Sequence, residues 1–490
     1  MSYDIRITKA VLVLYKWFGQ LYGVLPFASK SFIFVHSRPW LWYSRLIAAL
    51  LLVIYPCAYI ILLKNHTFPM LDISYYLVMI QFTINYIIVI VLYLQVLFDP
   101  SSLLDVLNEL IESAQAILRY TYSTGESTIG RRLLFKTIAI DILQSFSWYG
   151  TFIWLQRTFG LSYMLAFWLN TIAVMQTVSV VNILLLVLLW GTFLYRLINE
   201  RIQIIIENLG KMSDPADLRD TVNHDKRTAF TQVCRQLSIL RTHHNALTKC
   251  VQNIVQFYDV PLGLAMLYQF FIIISELMAD IPYPELSLVN YLVCVQMILH
   301  YVALTLMYTY LLPSRMVVCD ILNSLAYISR LLDGGQLWKV KQTKKNILKN
   351  AFKVILSDNI LCGLFAFYCG QYITRGNDIK NDVDVPLGTY MSSILFAAFE
   401  AIQFYYIISA SSEITEQAEK TGILLNEFIP TAPNMRVEQC IESFTIELLH
   451  QDFKINNCGM YDVDYTLMFS MIATITSYLI MLVQFQLAEI

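Results

Sequence analysis

The chain has 490 residues, 57% of them hydrophobic and only 14% charged, with a net charge of −2. That balance excludes a nucleic-acid binder, which needs a basic surface, and a disordered chain, which lacks the apolar residues for a core. The positive mean hydropathy of +0.56 instead marks a polytopic membrane protein.

In chain order, nine apolar runs are long enough to cross or nearly cross a bilayer: 46–63, 75–98, 137–156, 161–195, 257–277, 288–312, 354–371, 387–410 and 465–485. Charges and aromatics precede the first run, so no cleavable signal peptide is expected. The fourth run exceeds one bilayer thickness and is expected to continue as a helix into the cytosol. A polar, Pro-containing loop follows at 210–227.

Basic residues set the orientation. With a cytosolic N-terminus, only Lys64, Arg157, Arg375 and Lys380 of the 34 Lys and Arg residues fall outside. Nine spans then make the C-terminus extracellular, and Asn65-His66-Thr67 lies in an outer loop, with Asn65 a candidate glycosylation acceptor. A G-protein-coupled receptor has the opposite polarity.

The nine cysteines include no Cys-x-x-Cys pair, and Cys57, Cys294, Cys362 and Cys369 fall in apolar runs as small buried hydrophobes. His243-His244 lacks nearby acidic or thiol partners, so no metal site is expected. The sequence has no nucleophile elbow, phosphate-cradling glycine loop or paired acid motif, and neither an enzyme nor a cofactor is expected.

Two cytosolic segments show helical amphipathicity. In 435–455, Val437, Ile441, Phe444 and Leu448 recur every three to four residues, and in 231–256 Val233, Leu237, Leu240, Leu247 and Val251 do the same. Glu438, Glu442 and Glu447 would be repelled by anionic lipid, so the last helix is expected to pack against protein as an anchor below the membrane.

The final run, 466–485, has no charge and holds Gln484 near its end, where a polar group faces a protein interior or water, or else reaches the interface. The tail Cys458-Gly459-Met460-Tyr461-Asp462-Val463-Asp464-Tyr465-Thr466-Leu467 leads into Ser477-Tyr478, five apolar residues and Gln484-Phe485. It resembles the C-terminal signature of insect gustatory receptors, Thr-Tyr, five hydrophobic residues and Gln-Phe, with Ser477 keeping the hydroxyl in place of Thr. Weaker resemblance extends through most of the chain.

That family has seven spans, and the excess has a readable source. Tyr76, Gln81, Tyr86, Tyr93, Asp105 and Asn108 recur in order and at one offset as Tyr291, Gln296, Tyr301, Tyr308, Asp320 and Asn323. Phe135-Lys136-x-Ile138-x-x-Asp141 recurs as Phe352-Lys353-x-Ile355-x-x-Asp358. The expected organisation is therefore 1–285 for the cytosolic N-terminus and first five spans, 286–374 for a second copy of the second and third spans, 375–432 for a sixth-type span with its cytosolic extension, and 433–490 for the anchor helix and last span. Either a true nine-span receptor or a joining of exons from neighbouring receptor genes would give this pattern. The packing demand of two extra helices favours the second.

The fold class expected is thus all-α, a polytopic membrane helical bundle. The resemblance implies a tastant-gated, nonselective cation channel of four like subunits, homomeric or mixed with other gustatory receptors, in the plasma membrane of gustatory or other chemosensory neurons. Its partners would be a small-molecule tastant, membrane lipid and monovalent and divalent cations, with no nucleic acid. The last helix of each subunit would line the pore. Ser477, Met481 and Gln484 share one face of it, Met481 suited to a hydrophobic gate and Gln484 to weakly discriminating ion coordination. Tyr478 and Phe485 are expected to pack against neighbouring helices, and Gly459 and Asp464 to shape the signature turn.

The resemblance places the ligand pocket in the outer half of the bundle, where Tyr75, Gln81, Trp148, Trp154, Trp168, Asn170, Tyr390 and Ser393 offer stacking and hydrogen bonds, although membrane aromatics more often serve packing. Asp141 and Glu400 are ionisable groups within spans and so candidates in their own right, or protonated or paired structural acids. A transporter would share such acids but should show repeats of whole halves and broken spans. A non-conducting subunit that needs a co-receptor is the other alternative.

Overall fold

A computed structural model describes residues 3–30, 33–64, 73–121, 129–142, 144–145, 161–212, 223–279, 387–428, 435–451 and 453–488. In order these form α1 (Tyr3–Leu21), the hairpin β1 (Phe27–Lys30) and β2 (Ile33–His36), α2 (Arg38–Lys64), α3 (Ile73–Phe98), α4 (Pro100–Thr121), α5 (Ile129–Lys136) with a π-helical turn Thr137–Ile142, α6 (Leu161–Met212), α7 (Asn223–Phe257), α8 (Asp259–Ala279), α9 (Leu387–Phe428), α10 (Met435–Gln451), the hairpin β3 (Asn456–Asn457) and β4 (Tyr461–Asp462), and α11 (Tyr465–Ala488). The described architecture is that of an all-α membrane bundle, with strands confined to the two short antiparallel hairpins.

The expected runs 46–63, 75–98, 161–195, 257–277, 387–410 and 465–485 coincide with α2, α3, α6, α8, α9 and α11. The run 137–156 is described only at its start, and 288–312 and 354–371, with the whole second copy, Asn65, Cys294, Cys362 and Cys369, lie outside the described residues. Arg38–Ile61, Met79–Phe98 and Trp168–Leu209 are each long and apolar enough to span a bilayer. The 52 residues of α6 reach about 78 Å, more than twice a hydrocarbon core of ~30 Å, so this helix does continue well beyond one bilayer.

The helices begin where local chemistry says they should. Asp99 caps α4, its carboxylate accepting the Ser102 N–H at 3.1 Å, and Pro100 occupies the first helical position, where a missing N–H costs nothing. The buried stripe Leu103, Leu107, Leu110, Ala114 and Ile117 follows at helical spacing and packs α4 on α7 and α6.

The chain divides into two units, Met1–Phe271 with Tyr406–Thr474, and Ile272–Tyr405 with Ile475–Ile490. In the first, α2, α3 and α6 enclose a core of Leu51, Tyr55, Phe82, Val89, Tyr93 and Ala173, and Tyr55 stacks on Tyr86 with centroids 5.2 Å apart. Cys57, expected to be buried, is exposed there, because it lies on the outer row of α2 with Leu46, Leu50 and Val53. In the second unit the described segments bury Ile273, Ile274, Phe399, Phe404 and the polar Glu400 and Gln403.

The two amphipathic segments become α7 and α10, which pack side by side and run parallel. Arg241 donates to Ser443 Oγ at 2.9 Å, Asn245 Nδ2 to Glu447 Oε1 at 2.5 Å, and Gln451 Nε2 to Asn245 Oδ1 at 2.7 Å, a nearly constant register. The expected stripe residues Leu237, Leu240, Leu247, Val251, Val437, Ile441 and Phe444 are buried. Glu442 stays exposed and Glu438 is half-buried.

Candidate functional site

The signature turn is a small device for aiming the last helix. Cys458 and Gly459 take positive φ of 51° and 67° to reverse the chain between β3 and β4, and for Cys458 that conformation carries strain. Asp259, at the start of α8, accepts the Cys458 N–H, and Asn457 fits against Gly263 so closely that a Cβ there would lie 3.1 Å from the amide nitrogen. Asn457 Nδ2 also donates to Tyr461 Oη at 2.8 Å. Asp464 then caps α11, its Oδ1 accepting the N–H groups of Thr466 and Leu467 at 2.9 and 3.1 Å. Tyr465 Oη donates to Ser409 Oγ at 3.3 Å, tying the start of α11 to α9.

On α11 itself Ser477, Tyr478 and Met481 are exposed on the single chain. Gln484 and Phe485 continue the same helix, and their side chains lie outside the described set. Tyr478 is 47% exposed on the single chain.

Two polar clusters are buried among the apolar helices. In the first, Asn170 Oδ1 on α6 accepts from Tyr55 Oη at 3.0 Å and from Asn85 Nδ2 at 2.8 Å. Gln81 is buried one turn before Asn85 on α3. The Asn85 amide oxygen is buried without a hydrogen-bond partner among the described residues, so this cluster has acceptor capacity to spare. Tyr55 and Asn85 escaped the sequence reading, although Asn85 lies at i+4 from Gln81, the spacing that puts both on one face.

The second cluster gathers around Asp141. Lys136 Nζ, fully buried, pairs with Asp141 Oδ1 at 2.5 Å, and Asn182 bridges both, donating to Asp141 Oδ2 at 2.8 Å and accepting from Lys136. The π-helical turn makes this pairing local, since widening the repeat brings residues five apart onto one side, where an α-helix would separate them. Tyr15 of α1 hydrogen-bonds Thr137 at 2.9 Å. A small cleft of about 40 Å³ adjoins the cluster and is lined by Tyr15, Phe18, Thr137, Asp141, Ile142, Ser145, Met175, Val178, Ser179 and Asn182.

Asp141 and Asn170 are therefore not in one site. Asn170 and Asn182 stand about 18 Å apart along α6. Trp168 is 40% exposed, and Glu400 is buried in the second unit. Trp148 and Trp154 lie outside the described residues, as do the side chains of Tyr75, Tyr390 and Ser393 on α3 and α9.

Arg132 of α5 and Arg196 of α6 converge on Glu413 of α9, at 2.6 and 3.4 Å. Between α6, α7 and α10, His244 is buried against Tyr195 and Phe444, with centroids at 4.9 and 6.0 Å. Burial pulls its pKa down to about 4, against a smaller upward pull from the Ala418 carbonyl. Burial also pushes the Cys234 thiol up to about 12, helped by Cys440 on the facing helix. No group of metal-ligating side chains is present among the described residues.

A family model described as 7tm chemosensory receptor matches residues 8–281 and 335–489. Three Drosophila melanogaster proteins are similar over shorter stretches. Gustatory receptor 28b is 28% identical over 79 residues, 16% of this chain and 17% of that protein. Gustatory and pheromone receptor 33a is 27% identical over 93 residues, 18% and 20%. Gustatory receptor for bitter taste 66a is 25% identical over 125 residues, 26% and 23%. The match thus covers less than a quarter of the length of each relative.

Proposed function

The chain belongs to the 7tm chemosensory receptor family, with insect gustatory receptors as its relatives, and on that premise we propose that it is a gustatory receptor which opens a nonselective cation pore when a small tastant binds. Four subunits, alike or mixed with other gustatory receptors, would each contribute α11 to a central pore. The observation that carries this reading is the combination of family membership with a capped last helix whose Ser477, Tyr478 and Met481 face is exposed on the single chain. Met481 side chains gathered at an axis would dewet a closed gate, and Gln484 would coordinate cations through neutral amides without strong preference. The capped turn fixes the direction in which α11 enters.

The N-terminus is read as cytosolic, the C-terminus as extracellular and the membrane as the plasma membrane of a chemosensory neuron. The tastant is read into the cluster of Gln81, Asn85 and Asn170, where the open acceptor of Asn85 favours a ligand that donates a hydrogen bond and presents an apolar body. The residues 286–374 are read as an inserted second copy. The family match is interrupted at 282–334, which supports an insertion in the first part of that segment, and it resumes at 335. Sequencing the transcript across 280–380 tests the joining of neighbouring genes, which one continuous spliced message would refute.

The function itself is tested by patch recording during a panel of tastants, with the chain expressed alone and beside other gustatory receptors. Ligand-evoked, weakly selective cation current is expected in at least one arm, and Gln484→Ala should alter the permeability ratios. Current with unchanged selectivity in that variant would remove Gln484 from the pore. Silence in both arms, with the protein at the cell surface, would sink the channel reading.

A further inference from the structure

The first helix has two unlike sides. One side packs on α5 and α6, with Val11 and Tyr15 buried, and the other exposes Val13, Trp17 and Leu21 at helical spacing, Trp17 to 60%. The depth of the helix says what that exposed side meets. The Tyr22 carbonyl, just past its end, accepts from Tyr93 Oη at 3.0 Å and Gln176 Nε2 at 3.2 Å. Tyr93 precedes Phe98, the end of α3, by a little over one turn, or about 7 Å along the span. Tyr43 Oη, a similar distance inside α2, donates to the Leu21 carbonyl at 2.9 Å.

The end of α1 is therefore held level with the Arg38–Arg45 stretch, at the edge of the apolar layer, where its outer side borders lipid. The row Trp42, Leu46, Leu50 and Val53 of α2 is likewise exposed, as a membrane span presents it to lipid. The charge is one-sided. Arg6, Lys9, Lys16, Lys30, Arg38 and Arg45 face a single acid, Asp4, in the first 46 residues. Arg38 and Arg45 are exposed at the head of α2, the Arg45 guanidinium 5.4 Å from the Trp42 ring centroid.

We infer that α1 is a lipid-seated helix: Val13, Trp17 and Leu21 insert among acyl chains while Lys16, Arg38 and Arg45 hold the headgroups of anionic phospholipid. The inference rests on α2 and α3 being membrane spans and is independent of whether the protein conducts.

Hydrogen–deuterium exchange on the full chain tests it, in vesicles of phosphatidylcholine alone and of phosphatidylcholine with phosphatidylserine, at two protein densities. Exchange of the α1 amides is expected to slow in the anionic vesicles, by up to about fivefold for each basic contact made. Replacing Lys16, Arg38 and Arg45 by Gln should erase that difference, and Trp17→Gln with Leu21→Gln should speed α1 exchange in both lipids while α6 stays protected. Equal exchange in the two lipids would overturn the inference. Slowing that follows protein density would give this face to a second copy instead, and rapid exchange along α2 and α3 would remove the spans on which the inference stands.

Discussion

Asn170 and Asn182 sit on the same helix, α6, and each is the meeting point of a buried polar cluster. They do opposite jobs. Asn170 gathers neutral donors and leaves an acceptor on its neighbour Asn85 open, whereas Asn182 uses both ends of its amide to close a ring with Lys136 and Asp141. The open cluster has an acceptor that a further donor could meet without breaking an existing hydrogen bond. The closed cluster is saturated, so its worth lies in holding α5, the π-helical turn and α6 in one arrangement.

The largest expected effect comes from breaking the closed cluster on one side. Asp141→Ala would leave the fully buried Lys136 ammonium without its counter-charge and cost about 3–5 kcal/mol. Thermal unfolding of the detergent-purified receptor measures this. Lys136→Met combined with Asp141→Leu should recover most of the loss, and a double variant as unstable as the single would mean that the ring does more than cancel charge.

The same rule extends to a buried group that has no counter-charge. His244 carries a folded pKa of about 4 against an unfolded value near 6.5, so the unfolded chain binds the proton more tightly and acid favours unfolding. Its contribution is fully present above pH ~6.5 and falls as pH drops toward 4, by about 3 kcal/mol at the end of that window. Unfolding followed against pH should flatten in His244→Phe over this range. An unchanged slope would place the acid sensitivity of the anchor elsewhere.

The smallest stability effect belongs to the open cluster. Tyr55→Phe or Asn85→Ala should cost only about 1 kcal/mol, since neutral hydrogen bonds between membrane helices are weak. Their signature should appear in ligand response, as a shift of about tenfold in half-maximal concentration for a hydrogen-bond-donating tastant. If Asp141→Asn shifts the response and Asn85→Ala leaves it unchanged, the roles of the two clusters are reversed and the ligand belongs in the Asp141 cleft.

Periodicity made the helical framework legible. The stripes Val437, Ile441, Phe444 and Leu237, Leu240, Leu247, Val251 are local patterns, and the structure buries them on α10 and α7, with Leu448 and Val233 left half-buried. The length of the fourth apolar run foretold α6, and the Gly459 and Asp464 positions of the tail became a left-handed turn and a helix cap. The partners of Asp141 were hidden for two reasons. Lys136 is five residues away, a spacing that points apart in an α-helix, and Asn182 is on another helix. Cys57 misled because apolar neighbours in a span say nothing about which side of the helix faces lipid.

From the sequence alone come the membrane class, the apolar runs, the bias in where the basic residues fall and the turn that leads into the last helix, because hydropathy, charge and turn chemistry act between near neighbours along the chain. Tertiary structure decided which polar residues close on one another, which keep an open acceptor and which side of α1 stays exposed. Those outcomes depend on distances between helices far apart in sequence, and in an apolar medium a buried polar group takes its role from the partners that packing brings to it.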